Sequence, residues 1–515
     1  MASAQRWTWW ILAVAVSALS IFWRFETLDR RPLWLDEQST ARVVRESPDL
    51  VALWRTGSAD KYLHPPLAYL APWSVAHGTE TPFRLRLPSA LAGLVSIALV
   101  GVVGMLLFER WTGLFAALLI GISIYHVDFS QEARPYMMGL VLTLAQYAAL
   151  LGWLAGRRNA WLAAFATCAV AALYTYHLAL VHVAVAVGIA ALLAVQAIRG
   201  DAAERRRAVA LAVALLAVAL AYVPQLRNLA GFLASDDAVP SHVLALTPRF
   251  FHAVAQRWGS GSGVTTLLYA AVFGIGAVRV AAWRDMRALV LLGWATGPLL
   301  LFALKPFSKY FDLRFVISSL PVFFLLAAAG VTAAAGAAGA LLARAGRPAS
   351  ATRAARAVVF ACAALAFLVP ATQLYGSFRN ADLRCGDFLN RQEILEANDR
   401  LCADHLMLNS IWVEHQFIVR SLRGGITLDA ARLGEFAGIY DFEAGPPIEI
   451  EHQDDHLVAR VADRLPYELV PESETRFFYR TLSGRTVEFE RGADGRVASL
   501  TLTAGGRSAR AWRKP

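Results

Sequence analysis

Long runs of apolar residues recur along the first 373 residues, separated by short clusters of arginine. A helix needs about 20 consecutive apolar residues to cross the hydrocarbon core of a membrane. It also satisfies its own backbone polar groups inside lipid, so the runs predict an α-helical polytopic membrane protein. Eleven spans are predicted, over 7–25, 88–108, 112–127, 137–155, 160–176, 178–198, 208–225, 263–283, 287–304, 318–343 and 357–373.

The composition agrees with a membrane protein. Hydrophobic residues make up 57% of the 515 residues and charged residues 17%, against roughly 25% charged residues in a typical soluble domain. This balance excludes an ordinary soluble domain and a disordered chain. The formal net charge is +10, but the arginines lie between apolar runs, where membrane topology explains them better than a nucleic-acid partner does. Four cysteines in so long a chain exclude a disulfide scaffold.

The positions of the arginines predict the orientation, because positively charged short loops stay on the cytoplasmic side. With the N-terminus inside, the clusters that begin at Arg110, Arg157 and Arg205 all fall in inside loops. The apolar segment 64–77 is too short to span and is predicted to be re-entrant or interfacial. The odd number of spans then places the segment 26–87 and everything after residue 373 outside.

Two regions of soluble character follow the last span. Residues 374–432 have a mixed composition and are predicted to form a helical outside connector after a membrane domain over 1–373. Residues 433–515 alternate polar and apolar side chains, as in Val487-Glu488-Phe489-Glu490. Such alternation between turn sequences is typical of antiparallel strands and predicts a small all-β domain or barrel.

Cys385 and Cys402 both fall in the predicted outside part. An oxidising compartment would allow a disulfide between them. Two free thiols are the alternative.

Polar motifs collect on the predicted outside face. Ionisable residues at a membrane boundary are costly, so their positions are informative. Acids, histidines and cations that converge on one membrane face indicate a site for an anionic, lipid-linked substrate. The residues concerned are Asp36, Glu37, His64, Glu132, Arg134, Tyr136, Tyr176, His177, Lys305, Lys309, Asp312 and Arg314.

Transfer of a group from a lipid phosphate to a hydroxyl requires a base for the acceptor proton and cations for the departing phosphate. Asp36 or Glu37 is predicted to be that base. No closed set of metal ligands is visible, so no metal is predicted to be required. The predicted phosphate ligands are His64, Arg134, Arg42, Lys309 and Arg314, and the predicted substrate contacts are Glu132, Tyr136, Tyr176 and His177.

Several of these residues also have a purely structural interpretation. The acidic pair Asp36 and Glu37 would suit the cap of a surface helix, and Glu132 with Arg134 would suit an interfacial ion pair. His177 would suit a hydrogen bond between two spans. The order of the motifs is more specific than any one of them, namely W-L-D-E at 34–37, H-P-P-L at 64–67, R-L-P-S-A-L-A-G-L at 86–94, S-Q-E-A-R-P-Y at 130–136 and Y-T-Y-H at 174–177.

These motifs in this order resemble the GT-C superfamily of glycosyltransferases, over roughly residues 7–330. The similarity is closest to the branch that holds protein O-mannosyltransferases and the lipid A aminoarabinose transferase. The resemblance implies an integral membrane enzyme that uses a polyprenyl-phosphate monosaccharide donor on the non-cytoplasmic face and inverts the anomeric centre. It assigns the catalytic base to Asp36, with Glu37 beside it.

The chain departs from the family pattern at two positions. The residue before the Pro-Pro pair is often a phosphate-contacting Lys in the family, and here it is His64. Some members carry an Arg three residues after the catalytic acid, where this chain has Ser39, so Arg42 is the substitute prediction. Residues 433–514 look like the small accessory β domain found C-terminal to many β-lactamase-type serine hydrolases, and no catalysis is inferred from them.

Two other functions fit a polytopic chain. A transporter or flippase for polyprenyl lipids would also have many spans, but transporters often show internal repeats and midplane charges. A non-catalytic lipid-binding or assembly protein would use the β domain for interaction. The acceptor remains open among a protein, a glycolipid and a polysaccharide. Abundant alanine and arginine indicate a high-GC bacterium, which predicts the bacterial cytoplasmic membrane with the site and the C-terminal domain on the periplasmic or extracellular side.

Overall fold

A computed structural model divides the chain into two compact units, Met1–Asp382 and Leu383–Pro515. The first unit is helical and the second is built mainly from β-strands. The structure describes residues 2–29, 33, 35–59, 64–156, 158–198, 202–233, 254–255, 258–259, 263–283, 285–304, 313–387, 426, 428–443, 447–453, 456–461, 467–479, 485–504 and 507–514.

The helices of the first unit follow the apolar runs, and proline or polar caps mark several of their starts. Thr81, for example, accepts a hydrogen bond from the N–H of Arg84 at 3.3 Å and caps the helix that Pro82 begins. The described α-helices are α1 (Ala2–Phe25), α2 (Leu35–Glu46), α3 (Leu50–Ala59), α4 (Leu67–Ala76), α5 (Pro82–Leu107), α6 (Arg110–Gly121), α7 (Ile124–Ser130), α8 (Tyr136–Gly156), α9 (Asn159–Leu173), α10 (Leu180–Ile198), α11 (Ala202–Tyr222), α12 (Leu226–Leu233), α13 (Gly263–Ala281), α14 (Met286–Leu304), α15 (Leu320–Arg344) and α16 (Ala349–Asp387).

Seven helices among the described residues are long and apolar enough to cross a membrane, so the chain is a multi-pass membrane protein. Three further predicted spans coincide with shorter apolar helices, Val14–Phe25, Asn159–Leu173 and Met286–Leu300. The predicted re-entrant segment contains the ten-residue helix α4, half the length of a span. The seven long helices lie over Pro82–Leu107, Tyr136–Gly156, His177–Ile198, Ala202–Ala230, Gly263–Ala281, Arg314–Arg344 and Ala349–Gly376.

The predicted span 112–127 is bent in the structure. The chain bends there by 66° between α6 and α7, and the pair counts as an eighth span only if both halves are taken together. The physical cause is a second helix start, because the Ser123 hydroxyl accepts from the N–H of His126 and caps α7. The freed carbonyl of Gly121 accepts from the Arg24 guanidinium at 3.2 Å.

Small residues let the membrane helices approach closely. A Cβ at Gly104 in α5 would lie 2.6 Å from the Cα of Gly113 in α6. A Cβ at Gly330 in α15 would overlap the carbonyl oxygen of Val272 in α13. Glycine is therefore required at both crossings.

The second unit contains a closed antiparallel barrel in which each described strand pairs with its neighbours in sequence and β1 pairs with β8. Its inward side chains are apolar and buried, with Phe436, Phe477 and Phe489 in mutual contact. The predicted C-terminal all-β domain is therefore confirmed. The elements are α17 (Ala430–Gly434), β1 (Gly438–Phe442), β2 (Ile448–Gln453), β3 (His456–Val461), β4 (Tyr467–Pro471), β5 (Arg476–Tyr479), β6 (Arg485–Arg491), β7 (Val497–Ala504) and β8 (Arg507–Arg513).

Candidate active site

A buried ion pair joins the start of α2 to α5. Arg86 donates from Nε to Glu37 Oε1 at 2.8 Å and from Nη2 to Oε2 at 2.6 Å. Both side chains are almost fully buried, at 2% and 1% exposure. Arg86 also donates to the carbonyl of Leu28 at 3.1 Å. Such a bidentate pair fixes both partners geometrically, so it holds α2 against the first turn of α5.

The same carboxylate contacts the segment Gln131–Arg134, which connects α7 to α8. The N–H of Ala133 donates to Glu37 Oε1 at 2.7 Å. Two motifs that lie almost a hundred residues apart in sequence therefore meet at one carboxylate. The hydrogen bonds from Arg86 and Ala133 suit Glu37 to positioning more than to proton transfer, because they engage the oxygens that would take a proton.

Arg134 lies beside His64, a juxtaposition that the sequence could only suggest. Arg134 Nη2 is 2.8 Å from His64 Nε2, and Arg134 Nη1 is 3.5 Å from the hydroxyl of Thr40. Because a guanidinium only donates, Nε2 of His64 accepts, and the proton of a neutral imidazole is then on Nδ1. Burial, followed by the charges of Arg134, His177 and Arg314, lowers the pKa of His64 well below its usual value.

An aromatic wall borders this cluster. The His64 ring lies 5.7 Å from that of Tyr176 and 6.3 Å from that of Tyr136, and the two tyrosine rings are 5.9 Å apart. Tyr136 and Tyr176 also line a narrow cavity of about 20 Å³ together with His182 and Phe315. A space of this size holds a single water molecule.

The end of α1 holds the other side of the segment Gln131–Arg134. Gln131 Nε2 donates to the Thr27 hydroxyl at 2.8 Å and to the carbonyl of Trp23 at 3.1 Å. Deeper in the bundle, Arg24 donates to His126 Nδ1 at 2.7 Å. Both ends of α7 are thus bound to the last turns of α1.

The remaining predicted residues are placed as follows. Asp36 is in α2, four residues before Thr40 and therefore about one helical turn away. Arg42 lies in the same helix, two residues after Thr40. Glu132 is buried at 4% exposure, and His177 Nδ1 is 2.7 Å from the hydroxyl of Tyr222. The described residues do not include Lys305, Lys309 or Asp312. The predicted disulfide also falls outside them, because they do not include Cys402 or the side chain of Cys385.

Sequence reasoning missed Arg86, Thr40 and Gln131 as members of this site. Arg86 was visible within the motif at 86–94, and a charged residue inside a membrane helix predicts a buried partner. Gln131 was likewise visible within the motif at 130–136, but a neutral amide or hydroxyl near a helix end is common, so neither Gln131 nor Thr40 stood out by its residue type. Within the described part of the chain, no group of three or more His, Cys, Asp or Glu side chains is placed to hold a metal ion.

Comparison with known protein families covers both units. Residues 64–223 match the sequence profile of a family described as dolichyl-phosphate-mannose-protein mannosyltransferase. Within these residues the match agrees with the predicted resemblance to the protein O-mannosyltransferases. The matched region includes His64, Arg86, the segment Gln131–Arg134 and His177. Residues 422–511 match a domain of unknown function, DUF3471. No curated protein has significant sequence similarity to the chain.

Several solved structures are similar to this chain. ArnT from Cupriavidus metallidurans in the apo state has a TM-score of 0.49 at 18% identity, over 80% of this chain and 75% of that chain. The same protein bound to undecaprenyl phosphate has a TM-score of 0.47 at 17% identity, over 85% and 83%. The oligosaccharyltransferase AglB from Archaeoglobus fulgidus, in complex with an inhibitory peptide and a dolichol-phosphate, has a TM-score of 0.48 at 12% identity, over 77% and 60%.

Proposed function

We propose that this chain is a membrane glycosyltransferase that moves a monosaccharide from a polyprenyl-phosphate donor to a hydroxyl acceptor, with Asp36 as the general base. The observation that carries the proposal is the hydrogen bond from Ala133 N–H to Glu37. It brings the neighbourhood of Asp36 together with the segment that ends in Arg134. This contact supports one site in which the acidic dyad and the proposed phosphate-binding cations act together, and that site overlaps the region similar to the mannosyltransferase family.

The cations near His64 are the proposed ligands of the phosphate leaving group. Arg134 contacts His64, and the charges of Arg134 and Arg314 both contribute to the lowered pKa of His64. Neutral His64 keeps Nδ1–H as a donor while Nε2 accepts from Arg134. Two guanidiniums and one imidazole N–H would hold a phosphate by charge-assisted hydrogen bonds. Lys309 and Arg42 are further proposed ligands.

The proposed reaction is a single displacement. The acceptor oxygen attacks the anomeric carbon while the bond from that carbon to the phosphate oxygen breaks, and the electron pair leaves with the polyprenyl phosphate. Asp36 takes the acceptor proton. Attack from the face opposite the phosphate inverts the anomeric centre. Arg134 and Arg314 stabilise the charge that develops on the leaving phosphate.

Glu37 is proposed to position this machinery. Its bonds to Arg86 and Ala133 set the distance between α2 and the Gln131–Arg134 segment. Tyr136, Tyr176, Glu132 and His177 are proposed to contact the sugar or the acceptor from the wall beside His64. Their polar atoms and ring faces are the groups that bind sugar hydroxyls and ring C–H bonds.

Several parts of the proposal concern the cellular context. Positive charge in the short loops supports a site on the non-cytoplasmic face, and the composition supports a bacterial cytoplasmic membrane. A lipid-linked donor would then enter from the bilayer. The acceptor would be a glycolipid, a polysaccharide or a protein. We propose the disulfide between Cys385 and Cys402 for the same oxidising side.

The decisive experiment substitutes the proposed base. Asp36→Asn in the full chain, reconstituted in lipid nanodiscs, should abolish transfer from a polyprenyl-phosphate sugar while leaving the protein folded. Asp49→Asn is the matched control, because Asp49 lies in the same outside loop and caps α3 by accepting from the N–H of Ala52 at 2.7 Å. The control should retain transfer. Full activity of Asp36→Asn would eliminate the proposed mechanism.

The donor and acceptor follow from mass spectrometry of glycolipids and glycoproteins from cells with and without the protein. A transporter would move a labelled polyprenyl lipid across proteoliposomes without a transfer product. A binding protein would retain the donor without hydrolysis or transfer. Either result would replace the glycosyltransferase proposal.

A further inference from the structure

The long helix α16 packs on the bundle along a narrow stripe. Phe367, Ala371 and Tyr375 are buried at 2%, 0% and 5% exposure, and they are spaced by four residues along one face. In the apolar window of α16 only 11% of residues are buried, against 89% in the span that contains α15. Few apolar contacts therefore hold α16, so any specific polar contact on it has a large share in its placement.

Such polar contacts occur at the C-terminal end of that stripe. The hydroxyl of Tyr375 donates to Glu26 Oε2 at 2.8 Å, and Arg379 Nη2 lies 2.7 Å from Glu26 Oε1. The Tyr375 ring stacks on that of Trp23 with a centroid distance of 4.6 Å and an interplanar angle of 8°. The Glu26 side chain is only 12% exposed, so this carboxylate is committed to α16.

The same few residues of α1 also hold the candidate site. Gln131 Nε2 donates to the carbonyls of Trp23 and Arg24 and to the Thr27 hydroxyl. Residues 23–27 thus contact α16 on one side and the start of the Gln131–Arg134 segment on the other. A displacement of these residues would move Gln131, and with it the amide of Ala133 that reaches Glu37.

We propose that Glu26 and Tyr375 are positioning residues, which fix the end of α1 against α16 and thereby hold the Gln131–Arg134 segment in its place beside Glu37 and His64. The expected effect on transfer kinetics rests on the proposed function. The expected effect on the position of the segment rests on the geometry alone. The helix α16 runs from the first unit into the second. The proposed support of the Gln131–Arg134 segment therefore comes from the helix that connects the two units along the chain.

Amide hydrogen exchange tests the structural consequence without any assumption about activity. The N–H groups of Gln131, Ala133 and Arg134 are all hydrogen-bonded, so their exchange reports opening of the segment. In the full chain in nanodiscs, Tyr375→Phe removes the hydroxyl while preserving the ring that stacks on Trp23. We expect exchange over 131–134 to accelerate roughly tenfold, the lower range for loss of one hydrogen bond to a charged group.

Glu26→Gln provides a second variant, which weakens the contacts of both Tyr375 and Arg379 and should accelerate exchange in the same peptide. In the double variant, the acceleration of exchange over 131–134 should not exceed the product of the accelerations in the two single variants, because both changes act on one contact. Tyr440→Phe is the matched control, since the Tyr440 hydroxyl also donates at 2.8 Å, to the carbonyl of Phe436 in the second unit. Exchange over 131–134 should not change in this control.

Transfer kinetics complete the test. The wild type should transfer sugar, and Tyr375→Phe should lower kcat by a factor similar to the change in exchange. Unchanged exchange over 131–134 in both variants would overturn the positioning role, whatever the activity. Acceleration spread equally over all peptides of the first unit would also overturn it, because that result indicates general destabilisation. A wild type without transfer would refute the proposed function and leave the exchange result decisive for the positioning role.

Discussion

Replacing Arg86 with Met removes the cation from the buried pair and preserves much of the side-chain volume. Glu37 would then be a carboxylate at 1% exposure without its bidentate partner. Breaking a buried ion pair from one side costs about 3–5 kcal/mol, because a charge remains in a medium that solvates it poorly. Since a folded domain is stable by only about 5–15 kcal/mol, Arg86→Met should be strongly destabilised.

A double-mutant cycle separates the pair from simple loss of packing. Glu37→Gln removes the negative charge and keeps an oxygen that accepts from the N–H of Ala133. The combination Arg86→Met with Glu37→Gln should therefore be more stable than Arg86→Met alone, with a coupling energy of about 2–3 kcal/mol. Thermal unfolding in detergent, read as the fraction of monodisperse protein against temperature, measures all three variants against the wild type.

The matched control is Arg45→Met on α2, the helix that carries Glu37. Arg45 is 3.8 Å from Glu80, with its side chain 68% exposed, and an exposed pair of this kind contributes about 0–1 kcal/mol. The buried-pair reasoning is refuted if Arg86→Met costs no more than Arg45→Met. It is equally refuted if the double variant is as unstable as the sum of the two single changes.

Three further predictions test the cluster and the barrel. Arg134→Gln should lower kcat/KM for the donor roughly 10- to 100-fold through loss of a charge-assisted hydrogen bond to phosphate, and steady-state kinetics would contradict it if only the acceptor KM changed. Burial and Arg134 keep His64 neutral in the fold while an unfolded His binds a proton below about pH 6.5. Acidification from pH 7.5 to 5.5 should therefore lower the free energy of unfolding. His64→Gln should reduce that loss by up to about 1.4 kcal/mol per pH unit below pH 6.5, measured by thermal unfolding. The same dependence of stability on pH in His64→Gln and the wild type would contradict this prediction. Phe477→Ala should lower the free energy of unfolding of the barrel by about 3–5 kcal/mol, because the ring is fully buried against Phe436 and Phe489. The control Ile439→Ala, at 41% exposure, should lower it by about 0.5 kcal/mol or less. Equal melting of the two variants, followed by near-UV circular dichroism on heating, would contradict this prediction.

Much of the fold was predictable because its signals are local. A membrane helix needs only a continuous apolar run, and a strand with one buried face needs only alternation, as in Val487-Glu488-Phe489. The break between Gly121 and Ile124 was not predicted, because the run 112–127 is apolar enough on average to be read as one span. Two interactions stabilise the bend. Ser123 caps α7, and the Arg24 guanidinium, which comes from α1, donates to the Gly121 carbonyl.

The candidate site was predictable only as a set of residue types. Acids, histidines and arginines in ordered motifs indicated where the chemistry resides, but the sequence does not contain the distances between them. The residue types alone left the base open between Asp36 and Glu37, and only the family resemblance assigned it to Asp36. The tertiary structure shows that the Glu37 carboxylate is held by Arg86 and the Ala133 amide, which the sequence does not reveal.

The sequence by itself determined that the chain crosses a membrane many times, ends in a β domain and carries its polar motifs in a GT-C-like order. These properties depend on the partition of side chains between lipid and water and on the period of each element, which neighbouring residues set. Only the tertiary structure decided that Arg134 faces His64, that Arg86 neutralises Glu37 and that α16 contacts the end of α1. Each of these contacts joins helices far apart in sequence, and burial gives such contacts their energy.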